Sequence, residues 1–259
     1  MPQVCLARCL SILKQPFFLI GSPRAGTTLL RNVLRTHSSL ICPEETHFFR
    51  WAFPFHSEEF LETVQNDPTL RSHRDIDGVS EQDFVTVYQR SDSRRTLQDA
   101  YVTMTSAWKA SQTSRWFDKT PQNVYGMLLL SGMYPESKFI HLHRHPLNVV
   151  ASLKAGVVMP PHSVLAGINM WLEAVTIVQE YEKAWPERLL NVSYERFTEN
   201  PRVELERILE FIEEPWEEQL LDGPKIHPEQ NKYMEELTEE EVALVKTMLG
   251  DKMAPYGYS

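Results

Sequence analysis

A parallel α/β fold is what this sequence predicts: a P-loop-like β-sheet of about four to five strands flanked by helices, with a helical insertion after the first βα unit. Three observations predict it. Short strand-like runs, at Phe17 to Ile20, Arg115 to Asp118, Lys138 to His143 and Leu189 to Ser193, are each followed by a polar turn and a helical pattern, the alternation of a sheet covered by helices. The first run passes through a glycine-bounded loop, GSPRAGTT from Gly21 to Thr28, directly into a helix-like stretch. Finally, the segment from Glu58 to Gln112 is polar, holds helical patterns such as RRTLQDAYVTMTSAWKAS and carries no convincing strand. It reads as a helical insertion between the first and second strands, over about 58–112, in the place of a lid. A length of 259 residues suits one domain over 1–259 with a substantial core.

The first twenty residues, MPQVCLARCLSILKQPFFLI, are fairly apolar, but Arg8 and Lys14 interrupt them and no small-residue cleavage site follows. No run reaches the ~20 apolar residues that span a bilayer, so neither a secretion signal nor a membrane span is expected, and a cytoplasmic location is. Cys5, Cys9 and Cys42 lack the paired spacing of a zinc site and read as free thiols of a reducing compartment. With 26 Lys and Arg against 35 Asp and Glu, net charge −9, a broad basic face for nucleic acid is not expected. Any anion site must be local.

PFFLI is the first strand, and TTLLRNVLRTH, Thr27 to His37, the helix after it, with Leu29, Leu30, Val33 and Leu34 forming the stripe that lies on a sheet. Between them a tight turn and a helix start present backbone N–H groups at the positive end of a helix dipole, a ready anion site. Gly21 and Gly26 let the backbone come close, while Thr27 and Thr28 add hydroxyls. The loop of nucleotide triphosphatases carries a lysine where Thr27 stands. Without that lysine, and with no acidic strand end to hold magnesium, triphosphate hydrolysis loses its charge-neutralising parts. The loop suits a 5′-phosphate bearing a transferable group, with Arg24 as its planar cation. The plain alternative is an ordinary strand-to-helix turn.

Further along, WFDKTP puts Lys119 at a strand end with Pro121 fit for the first turn of a helix. FIHLHRHPLNVVAS puts Arg144 at another strand end and Ser152 about two helical turns on, where both can face one phosphate. Ser163 to Trp185 is a long helical pattern, and LLNVSYERF puts Tyr194 just past a fourth strand. Ligands of open α/β sheets bind outside the carboxyl ends of the strands, so these positions converge. Near the end, TEEEVALVKTMLGDKM starts at Thr238 as N-cap with acids in its first turn, a packing helix. His141, His143 and His145 alternate along a strand, which invites zinc; three histidines on one strand suit tetrahedral binding poorly, and they are expected to line or buttress the site instead. No metal is expected. The aromatic run HFFRWAFPFH, His47 to His56, reads either as a pocket wall or as core.

GSPRAGTTLL with CPEET, DKTP and the strand-Arg-x7-Ser segment resembles the sulfotransferase superfamily, on the branch that contains tyrosylprotein and bacterial sulfotransferases, over about Phe17 to Tyr194. The resemblance implies 3′-phosphoadenosine 5′-phosphosulfate as co-substrate and a hydroxyl-bearing acceptor: small molecule, sugar, carrier-bound chain or peptide tyrosine. By position, Ser22, Pro23, Arg24, Ala25, Gly26, Thr27 and Thr28 fall on the 5′-phosphosulfate loop, Ala25 replacing the more usual serine, while Arg144 and Ser152 fall on the 3′-phosphate site. Tyr194 matches a tyrosine that contacts the nucleotide. NKYMEEL is similar to the family's Lys-Trp segment, with Lys232 as a further 3′-phosphate ligand and Tyr233 in place of the tryptophan.

For the reaction, the resemblance points to Lys119 for the charge on the bridging oxygen and to Glu45, rather than Glu44, as base. His47 stands where that branch has arginine and is a rival base, since an imidazole titrates near neutrality. The expected activity is sulfuryl transfer to a hydroxyl by in-line displacement. A small-molecule kinase with a degenerate loop, or a catalytically silent module binding adenosine 3′,5′-bisphosphate, are the other readings.

Overall fold

Every residue of Phe17–Ile20 (β1) is fully buried, as a strand covered by helices on both faces must be. In the computed structural model, which describes residues 14–110, 115–157, 161–228 and 231–259, β1 is the middle of a five-stranded parallel sheet. Leu40–Ile41 (β2), Arg115–Lys119 (β3), Lys138–His143 (β4) and Leu189–Ser193 (β5) complete it in the order β2-β3-β1-β4-β5. The expected α/β sheet is therefore present, with two differences. β2 is only two residues long, too short to carry a hydrophobic period. Because it precedes the insertion, the insertion lies between the second and third strands, not the first and second.

Side chains of β1 alternate between two cores. Phe17 and Leu19 join the cluster beneath Thr27–Leu34 (α1), where Phe17 stacks on Phe117 of β3 with ring centroids 4.7 Å apart. Phe18 and Ile20 join the larger cluster under the insertion, together with Trp116, Tyr134 and Phe139. The insertion consists of Glu58–Asn66 (α2), Pro68–Asp77 (α3), Glu81–Arg90 (α4), Arg94–Met104 (α5) and Ser106–Ala110 (α6). Its short helices are bounded by local signals: Asp67 caps the start of α3 through its carboxylate, Gly78 closes α3 at φ 71°, and Ser80 and Ser93 cap the starts of α4 and α5.

Met127–Met133 (α7) follows β3, and Pro146–Ala155 (α8), Val164–Ala184 (α9), Tyr194–Glu199 (α10) and Pro201–Ile212 (α11) follow β4 and β5. α9 starts at its Ser163 N-cap, as the long helical pattern predicts. Tyr233–Glu236 (α12) and Glu239–Met253 (α13) come last; Thr238 and Glu241 form a reciprocal capping box at the start of α13. No helix among the described residues is long and apolar enough to cross a membrane. Cys42 is buried and its thiol is pushed up to about 12 by that burial, so it is inert. Cys5, Cys9 and the interruption at Arg8 lie outside the described residues.

Arg94 is one of the insertion side chains that hold the segment after β2. It is 2% exposed; its guanidinium donates to the carbonyls of Phe48 and Phe53 and lies 4.4 Å from the centre of the Phe60 ring. Replacing it leaves two carbonyls without their donor. Arg94→Leu is expected to lower unfolding stability by about 2–4 kcal/mol, read as a lower urea midpoint at unchanged slope.

Candidate functional site

Two glycines decide the shape of the loop after β1. A Cβ on Gly21 would sit 2.4 Å from the Leu142 carbonyl oxygen, so only glycine lets the chain leave the sheet between β1 and β4. Gly26 has φ 97°, and a Cβ there would sit 2.3 Å from the Tyr194 ring. Arg24 is also left-handed, at φ 69°, an uncommon conformation for an arginine that throws its side chain out of the turn. Its Nε donates to Ser152 Oγ at 3.0 Å. Ser152, expected to face one phosphate with Arg144, thus touches the loop arginine directly. Ser22 and Ala25 are buried under the loop, which explains why an alanine serves at position 25: its side chain faces the core.

A cleft of about 530 Å³ opens at this sheet edge, lined by Pro23, Arg24, Gly26, Thr27, Thr28 and, from other elements, Glu45, His47, Arg144 and Tyr194. The carboxyl ends of β1, β4 and β5 therefore converge as the topology demands. Arg144 is 5% exposed; its guanidinium lies 4.4 Å from the centre of the Tyr194 ring and its carbonyl accepts from Trp171 Nε1 at 3.1 Å. Lys232 sits at the N-terminus of α12 and is not among the cleft-lining residues.

The segment CPEET is sorted by its fold, each residue facing a different way. Glu44 turns from the cleft and receives Arg31 Nη1 at 2.6 Å and Arg35 Nη1 at 2.9 Å, both from the α1 region. Glu45 lines the cleft and pairs with Lys119 Nζ. Thr46 enters a buried network: its amide donates to Thr120 Oγ1 at 3.2 Å, and its hydroxyl lies 2.9 Å from Gln98 Oε1 and 3.1 Å from Asp118 Oδ2. Asp118 also accepts from Asn123 Nδ2 at 2.9 Å, and burial pushes its carboxyl up to about 6. His47, at φ 56°, turns back so that its Nε2 lies 3.3 Å from Glu45 Oε2.

Lys119 is 1% exposed and ends β3. A buried ammonium requires an anion and further acceptors. It finds Glu45 Oε1, and Thr28 Oγ1 at 3.2 Å. On Glu45, burial alone would raise the carboxyl; the His47 hydrogen bond and the Lys119 charge outweigh it and hold the group at about 2. Burial pulls His47 below the ordinary imidazole value despite the carboxylate beside it. A neutral His47 donates from Nε2 to Glu45, which leaves Nδ1 bare, and that atom is buried with no partner among the described residues. Glu45 and His47 both line the cleft, the imidazole hydrogen-bonded to the carboxylate.

The opposite wall comes from residues that no motif announced. Asp67, Thr69, Leu70 and His73 of the insertion line it, and His73 Nδ1 lies 2.9 Å from the Glu45 carbonyl oxygen. The aromatic run divides: Phe48 and Phe49 are core, while Arg50 and Trp51 line the cleft, Arg50 lying 5.0 Å from the centre of the Trp51 ring. Arg50, the one arginine in that run, was the available signal. His141 and His143 lie behind the cleft among Tyr256 and Tyr258, with His141 Nδ1 2.8 Å from Asn191 Oδ1; they buttress and do not line it.

Residues 16–218 match the model described as "Sulfotransferase family". The chain is 23% identical over 215 residues to protein-tyrosine sulfotransferase A of Caenorhabditis elegans, covering 80% of this chain and 52% of that protein. It is 29% identical over 231 residues to nodulation protein NoeE of Sinorhizobium fredii, covering 79% and 51%. It thus spans about half the length of both curated relatives. Among solved structures, the sulfotransferase domain from the curacin biosynthetic pathway superposes with a TM-score of 0.64 at 19% identity, covering 95% of this chain and 99% of that one, a likeness of fold.

Glu45→Gln leaves Lys119 buried beside a neutral amide, at an expected cost of about 3 kcal/mol near neutral pH. Because Glu45 is held at about 2 instead of the usual 4.5, its contribution is complete above pH 4.5 and disappears as pH falls toward 2. The gap in unfolding stability between the wild type and Glu45→Gln should therefore close over that interval, in denaturant titrations at several pH values.

Proposed function

Since this chain belongs to the sulfotransferase family, we propose that it transfers a sulfuryl group from 3′-phosphoadenosine 5′-phosphosulfate to a hydroxyl acceptor, as a single-domain enzyme. One observation carries this reading. A single cleft joins the glycine loop at the end of β1 to Arg144 at the end of β4 and to Tyr194, with the buried Lys119–Glu45 pair beside it. The donor set fits such a nucleotide: two guanidinium groups from separate strand ends, two threonine hydroxyls, and a backbone turn closed against the Tyr194 ring where a Cβ on Gly26 would collide.

In this reading Arg24, Thr27 and Thr28 hold the 5′-phosphosulfate, while Arg144 and Ser152, with Tyr194 beside them, hold the 3′-phosphate end. The donor supplies sulfur to the acceptor oxygen as the bond from sulfur to the bridging oxygen breaks. Lys119, steered by Thr28, neutralises charge on that bridging oxygen. Glu45 takes the acceptor's proton. A carboxylate held at about 2 accepts a proton poorly, so the two roles are linked: when Lys119 turns to the bridging oxygen it releases Glu45, whose basicity rises as its counter-charge moves away. His47 keeps the carboxylate aimed while this happens. The acceptor enters from the wall built by Arg50, Trp51, Leu70 and His73.

Lys119→Met keeps the buried stem and removes the charge. Its kcat for sulfuryl transfer is expected to fall about 10²–10³-fold, while adenosine 3′,5′-bisphosphate still raises the melting temperature. In the same thermal-shift assay the bisphosphate should stabilise the wild type more than magnesium-ATP does; the opposite order would turn the reading to a kinase, and binding without transfer to any hydroxyl acceptor would turn it to a silent binding module. In the free enzyme Glu45 is held at about 2 and His47 below its ordinary 6.5. The acid limb of kcat/KM is therefore expected well below pH 6.5, and a limb at 6.5 or above would assign the base elsewhere.

A further inference from the structure

We infer that Tyr258 is a positioning residue for the end of the cleft that reads the 3′-phosphate, acting through Glu195 and the two histidines on either side of Arg144. The inference rests on the donor reading above and concerns a residue outside the segment 16–218 that matches the family model.

The Tyr258 hydroxyl lies 2.8 Å from His143 Nδ1 and donates to Glu195 Oε2, also at 2.8 Å. The other carboxylate oxygen, Glu195 Oε1, accepts from the amide of His145 at 2.9 Å. Arg144 is the residue between those histidines. One hydroxyl thus ties down the residue before Arg144 directly and the residue after it through a carboxylate. The same carboxylate belongs to the residue following Tyr194, whose ring lies beneath the Arg144 guanidinium at 4.4 Å and against Gly26 of the loop. Ser193 Oγ donates to Glu195 Oε2 at 3.0 Å, so the carboxylate is also fixed from β5.

Both partners of the hydroxyl are matched to it. Burial holds His143 far below the ordinary imidazole range, so it is neutral and can offer Nδ1–H; the phenol then accepts from His143 and donates to Glu195. The ring adds packing, its centre 4.9 Å from that of His145 and 5.6 Å from that of His143. The chain reaches this position because Gly257, at φ 76°, reverses it after the short turn Ala254–Tyr256. A tyrosine needed only for packing would not require the bridge from hydroxyl to carboxylate to main chain.

The consequence is selective. Loss of the bridge loosens Arg144 and Tyr194 relative to each other and reaches the 5′-side loop only indirectly, through the packing of Gly26 against the Tyr194 ring, so the 3′ end is affected more. Tyr258→Phe keeps the ring and removes the bridge; Glu195→Gln keeps Tyr258 and weakens the bridge from the other side. Affinities for adenosine 3′,5′-bisphosphate and for adenosine 5′-monophosphate are measured by calorimetry on the full chain. In the wild type the bisphosphate binds more tightly, and in each variant the ratio of the two affinities is expected to fall about tenfold, with the monophosphate affinity little changed. An unchanged ratio in the folded variants, or equal weakening of both nucleotides, overturns the positioning role. A wild type that does not prefer the bisphosphate overturns the donor reading beneath it, which distinguishes the two failures.

Discussion

A fully buried ammonium is the constraint around which the candidate site is arranged. Lys119 ends the third strand with 1% of its surface exposed, where an unpaired charge is not tolerated. Its needs draw three separate parts of the chain together: the strand itself, the first turn of α1 through Thr28, and the segment after β2 through Glu45. The segment cannot drift, because its other residues are fixed too, Glu44 by two arginines and Thr46 by the Asp118 network. Pairing also sets the chemistry of the resting site. Together with the His47 hydrogen bond, it keeps the carboxylate ionised and weakly basic.

The helical insertion has a part in this beyond covering the cleft. Gln98 on α5 accepts from Thr46, Arg94 on the same helix grips the carbonyls of Phe48 and Phe53, and the Tyr101 hydroxyl donates to Asp77 at 2.7 Å while Asp77 accepts the amide of Glu44. The insertion wall of the cleft and the segment carrying Glu45 are therefore one connected structure. A change in the insertion acts on Glu45 as well, because buried polar networks transmit small displacements between their members.

On the far side of the cleft the same logic uses neutral groups. The histidines of β4 are buried, burial holding His141 at about 4 and His143 far below its ordinary range, so they work as uncharged hydrogen-bonding spacers beneath Arg144. Tyr256, Tyr258 and Asn191 meet them. Neutral imidazoles and phenols fix the chain around Arg144 without adding charge, and the Glu195 carboxylate beside them is taken up by Tyr258, Ser193 and the His145 amide.

Much of this was legible in the residues. Continuous apolar runs with glycine and proline punctuation specify a buried parallel sheet, since period and composition are local properties, and the loop Gly21 to Thr28 was readable because its glycines answer to backbone sterics. Lys119, Arg144 and Tyr194 were readable as strand-end residues, which topology alone sends to one edge. What tertiary structure decided is orientation and partnership across the chain. Whether Glu44 or Glu45 meets the lysine depends on the φ of a turn and on arginines nine and thirteen residues away; the two-residue β2 has too few positions to show a period; and Arg50, His73 and Tyr258 reach the site or its supports only through folding of the insertion and the final segment. Sequence carries the identity of the groups and their local geometry, while long-range packing chooses which of them touch, because such contacts depend on the whole core at once and leave no local pattern.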